Sequence, residues 1–272
     1  MASLSEGLRS FSTVIVTGGS SGIGKSFIKL MQSVHPTLRF CNLSRRNPTF
    51  DTNNIRLRHI ATDLAQPAEI RRAVAEVLAW LKSDPPTGKV LLINNSGFGG
   101  YGRFPDPELG HQLEMIDLNV RALVELTGHL MPTLRQHGGA IINVASTAAF
   151  QPTPWMAVYG ATKAFVLHWS LALNQELKGT GVRALAVCPG PTATEFFKRA
   201  GLQQGSVSDH LSMSSDAVVL ASLEALVAGR TQVVTGWKNW LGAVLITKLP
   251  KPMAAWMAAK ALAHFRFKKV VR

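Results

Sequence analysis

Cysteine is scarce in this 272-residue chain, which holds only Cys41 and Cys188. Each sits in an apolar, strand-like run, without metal-ligand spacing and without further cysteines to build a disulfide framework. They read as buried free thiols of a reducing cytoplasm, and no metal site is expected. Long apolar runs are missing too; none approaches the roughly 18 residues of a membrane span. Residues 1–12 lack the apolar core of a secretory signal, which argues against export. No internal repeat or low-complexity segment is present. Acidic residues stop at Glu224, whereas Arg230, Lys238, Lys248, Lys251, Lys260, Arg266, Lys268, Lys269 and Arg272 follow it. These nine account for most of the net charge of +13. The body is nearly balanced and the basicity belongs to the tail, so nucleic acid is not the expected partner.

What is present is an alternation of apolar runs with helical periods. Strands are predicted over Ser12–Thr17, Leu38–Leu43, Arg56–Thr62, Lys89–Ile93, Ala140–Val144, Val182–Val187 and Gln232–Thr235. Helices are predicted over Lys25–Val34, Ala68–Leu81, His111–Gln136, from about Tyr159 to Lys178, and over Ser214–Ala228. The strands are apolar throughout, not alternating, as in a parallel sheet covered on both faces. The fold class is therefore α/β: a single-domain, doubly wound (Rossmann-type) parallel sheet with helices on both faces. Residues 1–236 would form the dinucleotide-binding and catalytic domain, and 237–272 a basic, helical extension.

The first strand runs into Gly18-Gly19-Ser20-Ser21-Gly22-Ile23-Gly24 and then a helix. Strand, glycine turn and helix together bring backbone N–H groups and a helix N-terminus to a phosphate. About 20 residues further on, where such a unit meets the adenosine ribose, stand Ser44, Arg45 and Arg46 in place of an acidic residue. Guanidinium groups suit a 2′-phosphate, so NADP(H) is expected over NAD(H). Asp63 could accept from the adenine amine or cap the helix beginning near Pro67. Asn94-Asn95-Ser96-Gly97 closes the fourth strand, and Ser146 stands just past the fifth.

Tyr159 and Lys163 are four residues apart, on one helix face. An ammonium beside a phenol favours the phenolate, so the spacing predicts a lowered tyrosine pKa and a group able to trade a proton with an alcohol. Ser146 would polarise the reacting carbonyl.

TGGSSGIG at 17–24, NNSG at 94–97, Asn119, Ser146, YGATK at 159–163 and PGPTAT at 189–194 together resemble the classical short-chain dehydrogenase/reductase family. The resemblance covers residues 12 to 236. It implies Tyr159 as acid/base, Lys163 on the nicotinamide ribose, Ser146 on the substrate oxygen and Asn119 as anchor of a proton-relaying water. It implies that Gly18, Ser20, Ser21, Gly22, Ile23 and Gly24 line the pyrophosphate, and that Asp63 and Leu64 meet adenine. Asn95, Ser96 and Gly97 would lie at the adenine ribose, and Pro189, Gly190, Thr192 and Thr194 at the nicotinamide amide and phosphates. NNSG departs from the usual NNAG, and NVAS from a double serine; neither touches the catalytic positions. A homodimer or homotetramer through the helices of Asn119 and Lys163 is also implied.

The substrate loops are apolar: Phe98, Tyr101, Phe104, Phe150, Trp155, Met156, Phe196 and Phe197, with Arg103 and Lys198 the only cations among them. A lipophilic ketone or secondary alcohol is expected over a sugar or carboxylate. The alternative is an NADP(H)-binding regulator or scaffold without turnover. The tail carries Trp237, Trp240 and Trp256, a Pro250-Lys251-Pro252 break and a helical period over Met253–Phe267. It could pack on its own domain, on a partner subunit, or peripherally on an anionic membrane.

Overall fold

A computed structural model describes residues 4–50, 54–106, 108–194, 196 and 212–264. Seven strands are described: β1 Phe11–Thr17, β2 Arg39–Ser44, β3 Arg56–Ala61, β4 Lys89–Asn94, β5 Gly139–Val144, β6 Val182–Cys188 and β7 Gln232–Val234. All pairs are parallel, in the order β3-β2-β1-β4-β5-β6-β7. The order reverses between β1 and β4, and the crevice at such a switch point is where a doubly wound sheet takes its ligand. The predicted strands are found with ends shifted by one residue at most, and the fold class is as expected.

Successive side chains of a strand point to opposite faces, which is how a continuous apolar run feeds two cores. Val14, Val16, Leu91 and Ile93 join one core with Phe27, Ile28 and Met31 of helix α2, Gly22–Val34. Ile15, Val90 and Leu92 join the other, with Ile70 and Val77 of α3, Pro67–Ser83, and with Leu126 and Leu130 of α5, Ala122–His137. The edge strand β3 leaves Arg56 and Arg58 in water, a charged edge that resists further pairing. A short helix, α1 over Leu4–Leu8, precedes β1 and buries Leu8. It had no sequence signal.

Between the sheet and its helices lies a buried polar chain. The Asn94 amide donates to Thr127 Oγ1 at 3.0 Å and to Asn143 Oδ1 at 2.8 Å, and the Asn143 amide donates to Ser170 Oγ at 2.9 Å. It ties β4 and β5 to α5 and to α6, Ala157–Glu176, in one register.

The expected single helix over His111–Gln136 is three pieces. Helix α4, Leu109–Ile116, passes through a π turn, Asp117–Arg121, into α5. After β6, helix α7 spans Ser215–Val227 and packs on α2. The extension forms two helices, α8 over Trp237–Thr247 and α9 over Lys251–His264, where one was expected. Residues 265–267 of that prediction lie outside the described residues, as do Phe197 and Lys198.

Candidate active site

The carboxyl ends of β1 and β4 are locked by one threonine. Thr17 Oγ1 accepts from the backbone N–H groups of both Asn95 and Ser96 at 2.9 Å. The Asn95 amide in turn donates to Thr17 O at 2.9 Å. Asn95 therefore holds the two strand ends together rather than offering its amide to the crevice. Gly18 follows at φ +70°, and a Cβ there would come within 3 Å of Ser96 Oγ. Gly24 is needed for a different reason: a Cβ would stand 2.4 Å from Gly18 O, where the first turn of α2 closes on the loop. Gly24 thus packs the turn and does not line the crevice, a correction to the pyrophosphate role expected of it.

The glycine loop is also fastened to β2. Gly19 N donates to the buried Asn42 Oδ1 at 2.8 Å, and the Asn42 amide donates to Ser44 Oγ at 2.8 Å. Ser44 Oγ donates to Arg46 O, and Arg46 Nη2 reaches Ser21 Oγ at 3.2 Å. Arg45 is half in water, with Nη1 3.9 Å from Asp63 Oδ2 and 4.0 Å from Glu114 Oε1. Of the two readings of Asp63, the helix cap falls away. Its carboxylate accepts from Ala65 N at 3.1 Å, while the residue preceding α3 is Gln66.

These residues surround a crevice of about 520 Å³. Gly18, Ser20, Ser21, Gly22, Ile23, Ser44, Arg45, Arg46, Asp63, Leu64, Asn95, Ser96 and Gly97 line it. Ser146, Tyr159, Lys163, Pro189, Gly190, Thr192 and Thr194 line it as well, as do Phe98, Met156 and Phe196. Thr62, Leu118, Thr147, Ala148, Pro191 and Leu262 also line it without having been singled out in the sequence. Two expected substrate residues are elsewhere. Phe150 ends the short 3-10 turn Thr147–Phe150 and packs on the small core of Leu123, Ala149 and Val166. Trp155, held at φ +68°, lines a second cavity of about 300 Å³ with Phe104 and Arg103. Arg103 lies over its ring at 5.2 Å. The two cavities share Met156 and Tyr159.

Ser146 caps the 3-10 turn, its hydroxyl oxygen accepting from Ala148 N at 3.1 Å, and it is hydrogen-bonded to Tyr159. Tyr159 is 8% exposed, and its ring sits 5.2 Å from that of Phe196. Lys163 is buried, donates from Nζ to Val144 O at 2.8 Å, and lies 5.9 Å from the centroid of the tyrosine ring. The expected lowering of the tyrosine pKa is reversed. Burial pushes the Tyr159 phenol up to about 12 against the opposing pull of the Ser146 hydrogen bond, and burial brings Lys163 down to about 8. For both groups the loss of hydration of the charged form is the largest cause. The phenol and the hydroxyl together can hold a carbonyl oxygen and give it a proton.

Asn119 lies outside the crevice lining, within the π turn. Its amide donates to Phe98 O and Thr162 Oγ1, both at 3.0 Å, and accepts from Phe98 N at 3.1 Å. The side chain expected to anchor a water is committed to protein partners. It joins the loop after β4 to Thr162, whose hydroxyl donates to Tyr159 O at 2.7 Å. No group of metal-ligating side chains occurs among the described residues. Cys41 and Cys188 are buried and free, and burial pushes both thiols up to about 12.

A family model described as short chain dehydrogenase matches residues 12–205. Serine 3-dehydrogenase of Rhizobium radiobacter is 32% identical over 197 residues, 71% of this chain and 78% of that protein. Sulfoacetaldehyde reductase 2 of Chromohalobacter salexigens is 31% identical over 198 residues, 67% of this chain and 73% of its own. Among solved structures, a short-chain dehydrogenase from Sphingobium yanoikuyae in complex with NADPH superposes with a TM-score of 0.69 at 29% identity. That match covers 88% of this chain and 97% of the other.

Proposed function

We propose that this chain, which belongs to the short-chain dehydrogenase family of oxidoreductases, moves a hydride between NADP(H) and a lipophilic ketone or the matching secondary alcohol. The observation that carries the reading is the meeting of Ser146, Tyr159 and Lys163 in the crevice that the glycine-rich turn also lines.

The residues fit the dinucleotide. The turn from Gly18 to Gly22 carries only small side chains at the start of α2, a cradle for a diphosphate. Arg45 and Arg46 offer planar donors at the end of β2 for the 2′-phosphate, and no carboxylate follows Ser44 there to repel it. Asp63 and Leu64 would take the adenine, and Thr192 and Thr194 the nicotinamide amide and phosphates. When bound, the nicotinamide supplies or accepts the hydride.

The chain's own residues handle the proton. Ser146 holds the substrate oxygen through its hydroxyl, and Tyr159 gives that oxygen the Oη proton as negative charge builds on it. Burial holds the phenol in its protonated form, ready to donate. Lys163, fixed by Val144 O, would hold the nicotinamide ribose. Asn119 ties the Phe98 loop to Thr162, whose hydroxyl donates to Tyr159 O.

Phe98, Met156, Phe196, Leu118 and Leu262 wall the inner crevice, and this apolar lining supports a lipophilic substrate. The relatives named for serine and sulfoacetaldehyde act on small polar molecules, so the two readings separate cleanly. A panel of bulky ketones and small polar aldehydes, read as loss of NADPH absorbance, tests it. Higher kcat/KM on the bulky ketones is expected; preference for the polar aldehydes would overturn the substrate class. Tight NADPH binding with no turnover on any carbonyl would instead favour a regulator or scaffold.

The long helices expose Leu113 and Ile116 on α4, Val124 on α5 and Phe165 on α6. These support a homodimer or homotetramer through that face, measurable by light scattering.

A further inference from the structure

Helices α8 and α9 are apolar on the wrong side. In α9, Ala254 and Ala258 are buried, while Met253, Trp256 and Met257 are exposed, Trp256 by 59%. Positions 253, 256, 257 and 260 share one face at helical spacing. In α8, Ala243 is buried, while Trp237, Trp240, Leu241 and Leu245 are exposed, Trp237 by 71%. A surface helix normally turns its large apolar side chains to the core. Here alanine goes inward and tryptophan outward. No described helix is long and apolar enough to cross a membrane.

The charge on this face has one sign. Lys260 Nζ lies 3.9 Å from the Trp256 ring and Lys238 Nζ 5.7 Å from the Trp237 ring. Lys248 and Lys251 flank the break between the helices, and no Asp or Glu follows Glu224 anywhere in the sequence.

We propose that the α8–α9 face docks on an anionic lipid bilayer, with the tryptophans and methionines in the interfacial zone and the lysines on lipid phosphates. A second copy fits poorly, because an isologous contact would set one cationic face against itself with no carboxylate on either tail. An acidic protein would answer the charge, but tryptophan seated beside lysine on a helix lying flat is the chemistry of the lipid interface. Leu262, on the same α9, lines the crevice. A docked molecule would therefore have one wall of its substrate cavity on a helix in contact with lipid. That consequence rests on the reductase reading, whereas the docking does not.

The full-length protein is sedimented with vesicles of phosphatidylcholine alone or of phosphatidylcholine with phosphatidylglycerol. It is expected to follow the anionic vesicles, to stay in solution with the neutral ones, and to be released by salt. Lys238→Gln, Lys248→Gln and Lys260→Gln should each weaken partitioning about fivefold. The triple change Trp237→Ser, Trp240→Ser, Trp256→Ser should weaken it at least about tenfold, with circular dichroism and NADPH binding unchanged. The lysine series keeps the test decisive if the triple variant does not fold. Failure to follow anionic vesicles, equal binding to neutral ones, or binding indifferent to both sets of variants would overturn the proposal. So would a dimer in light scattering that the tryptophan variant converts to monomer, since a second copy would then be the occupant. No turnover is read, so failure here leaves the reductase reading standing, and a failed ketone panel leaves the docking standing.

Discussion

From Phe11 to Val234 the chain buries most of its large apolar side chains in two cores and lines the crevice with glycine, serine and threonine beside a few apolar side chains; from Trp237 onward, among the described residues, it buries alanine and leaves tryptophan outside. The first region satisfies most of its hydrophobic surface within itself, and its polar groups are arranged for a small ligand. The second contributes one side chain, Leu262, to that crevice and keeps most of its apolar area for something beyond the molecule. Chemistry and docking are thus divided along the chain. Substitutions in the two regions should read out differently.

The largest effect is expected at Tyr159. Tyr159→Phe keeps the ring against Phe196 and removes only the proton donor, so kcat should fall at least about 10²-fold with NADPH affinity nearly unchanged. Steady-state kinetics and a fluorescence titration of NADPH check both halves. If binding vanished along with turnover, the residue would be structural and the division would fail in the first region. Next comes the β2 end. Removing both guanidiniums in Arg45→Ala, Arg46→Ala should cost about 10- to 100-fold in kcat/KM with NADPH and little with NADH, as expected for lost charge-assisted hydrogen bonds. Equal losses with both cofactors would argue against a 2′-phosphate site.

Stability tests sharpen the contrast from the other side. Ala254 has no exposed surface, so Ala254→Leu should overpack the seat of α9 and cost about 1–3 kcal/mol by denaturant unfolding. Trp256→Ser, on the opposite face of the same helix, should change stability by no more than about 0.5 kcal/mol. A reversed order would mean the exposed face is packed after all. Lys163 gives a pH test of intermediate size. Its folded pKa, about 8, lies below the ordinary lysine value of 10.5, so between those values the unfolded chain binds more protons and stability rises with pH. Lys163→Met, which cannot titrate, should therefore raise Tm relative to the native chain below pH 8, and the advantage should shrink as the pH climbs towards 10. A difference independent of pH would place the lysine in a solvated setting.

Much of the first region could be read in the sequence, because short apolar runs such as VLLI and AIIN, bounded by turn residues, suit strands buried on both faces, and because a glycine turn after the first strand has few other uses. The Tyr159–Lys163 spacing was legible as a neighbourhood. The sign of the pKa shift was not, since it depends on how deeply the tertiary structure sinks both groups. The π turn escaped for a similar reason. DLNVR contains no helix breaker, and the extra residue is held by the bonds Asn119 makes to Phe98 and Thr162, both distant in sequence. Phe150 and Trp155 look alike as loop aromatics, and only the 3-10 turn and the left-handed backbone at Trp155 send them away from the main crevice. Helix α8 has no capping side chain and no charge pattern to announce it, and is held by contacts with the 3-10 turn after β5 and with β7.

Leu262 also sets an order of events in the cell. Synthesis runs from the amino end, so all seven described strands leave the ribosome before this last of the described lining residues. A nascent chain can gather its sheet and glycine turn while one side of the cavity is still open. The finished cavity is therefore a late product of translation, and a fusion placed directly after α9 would meet it where it closes last.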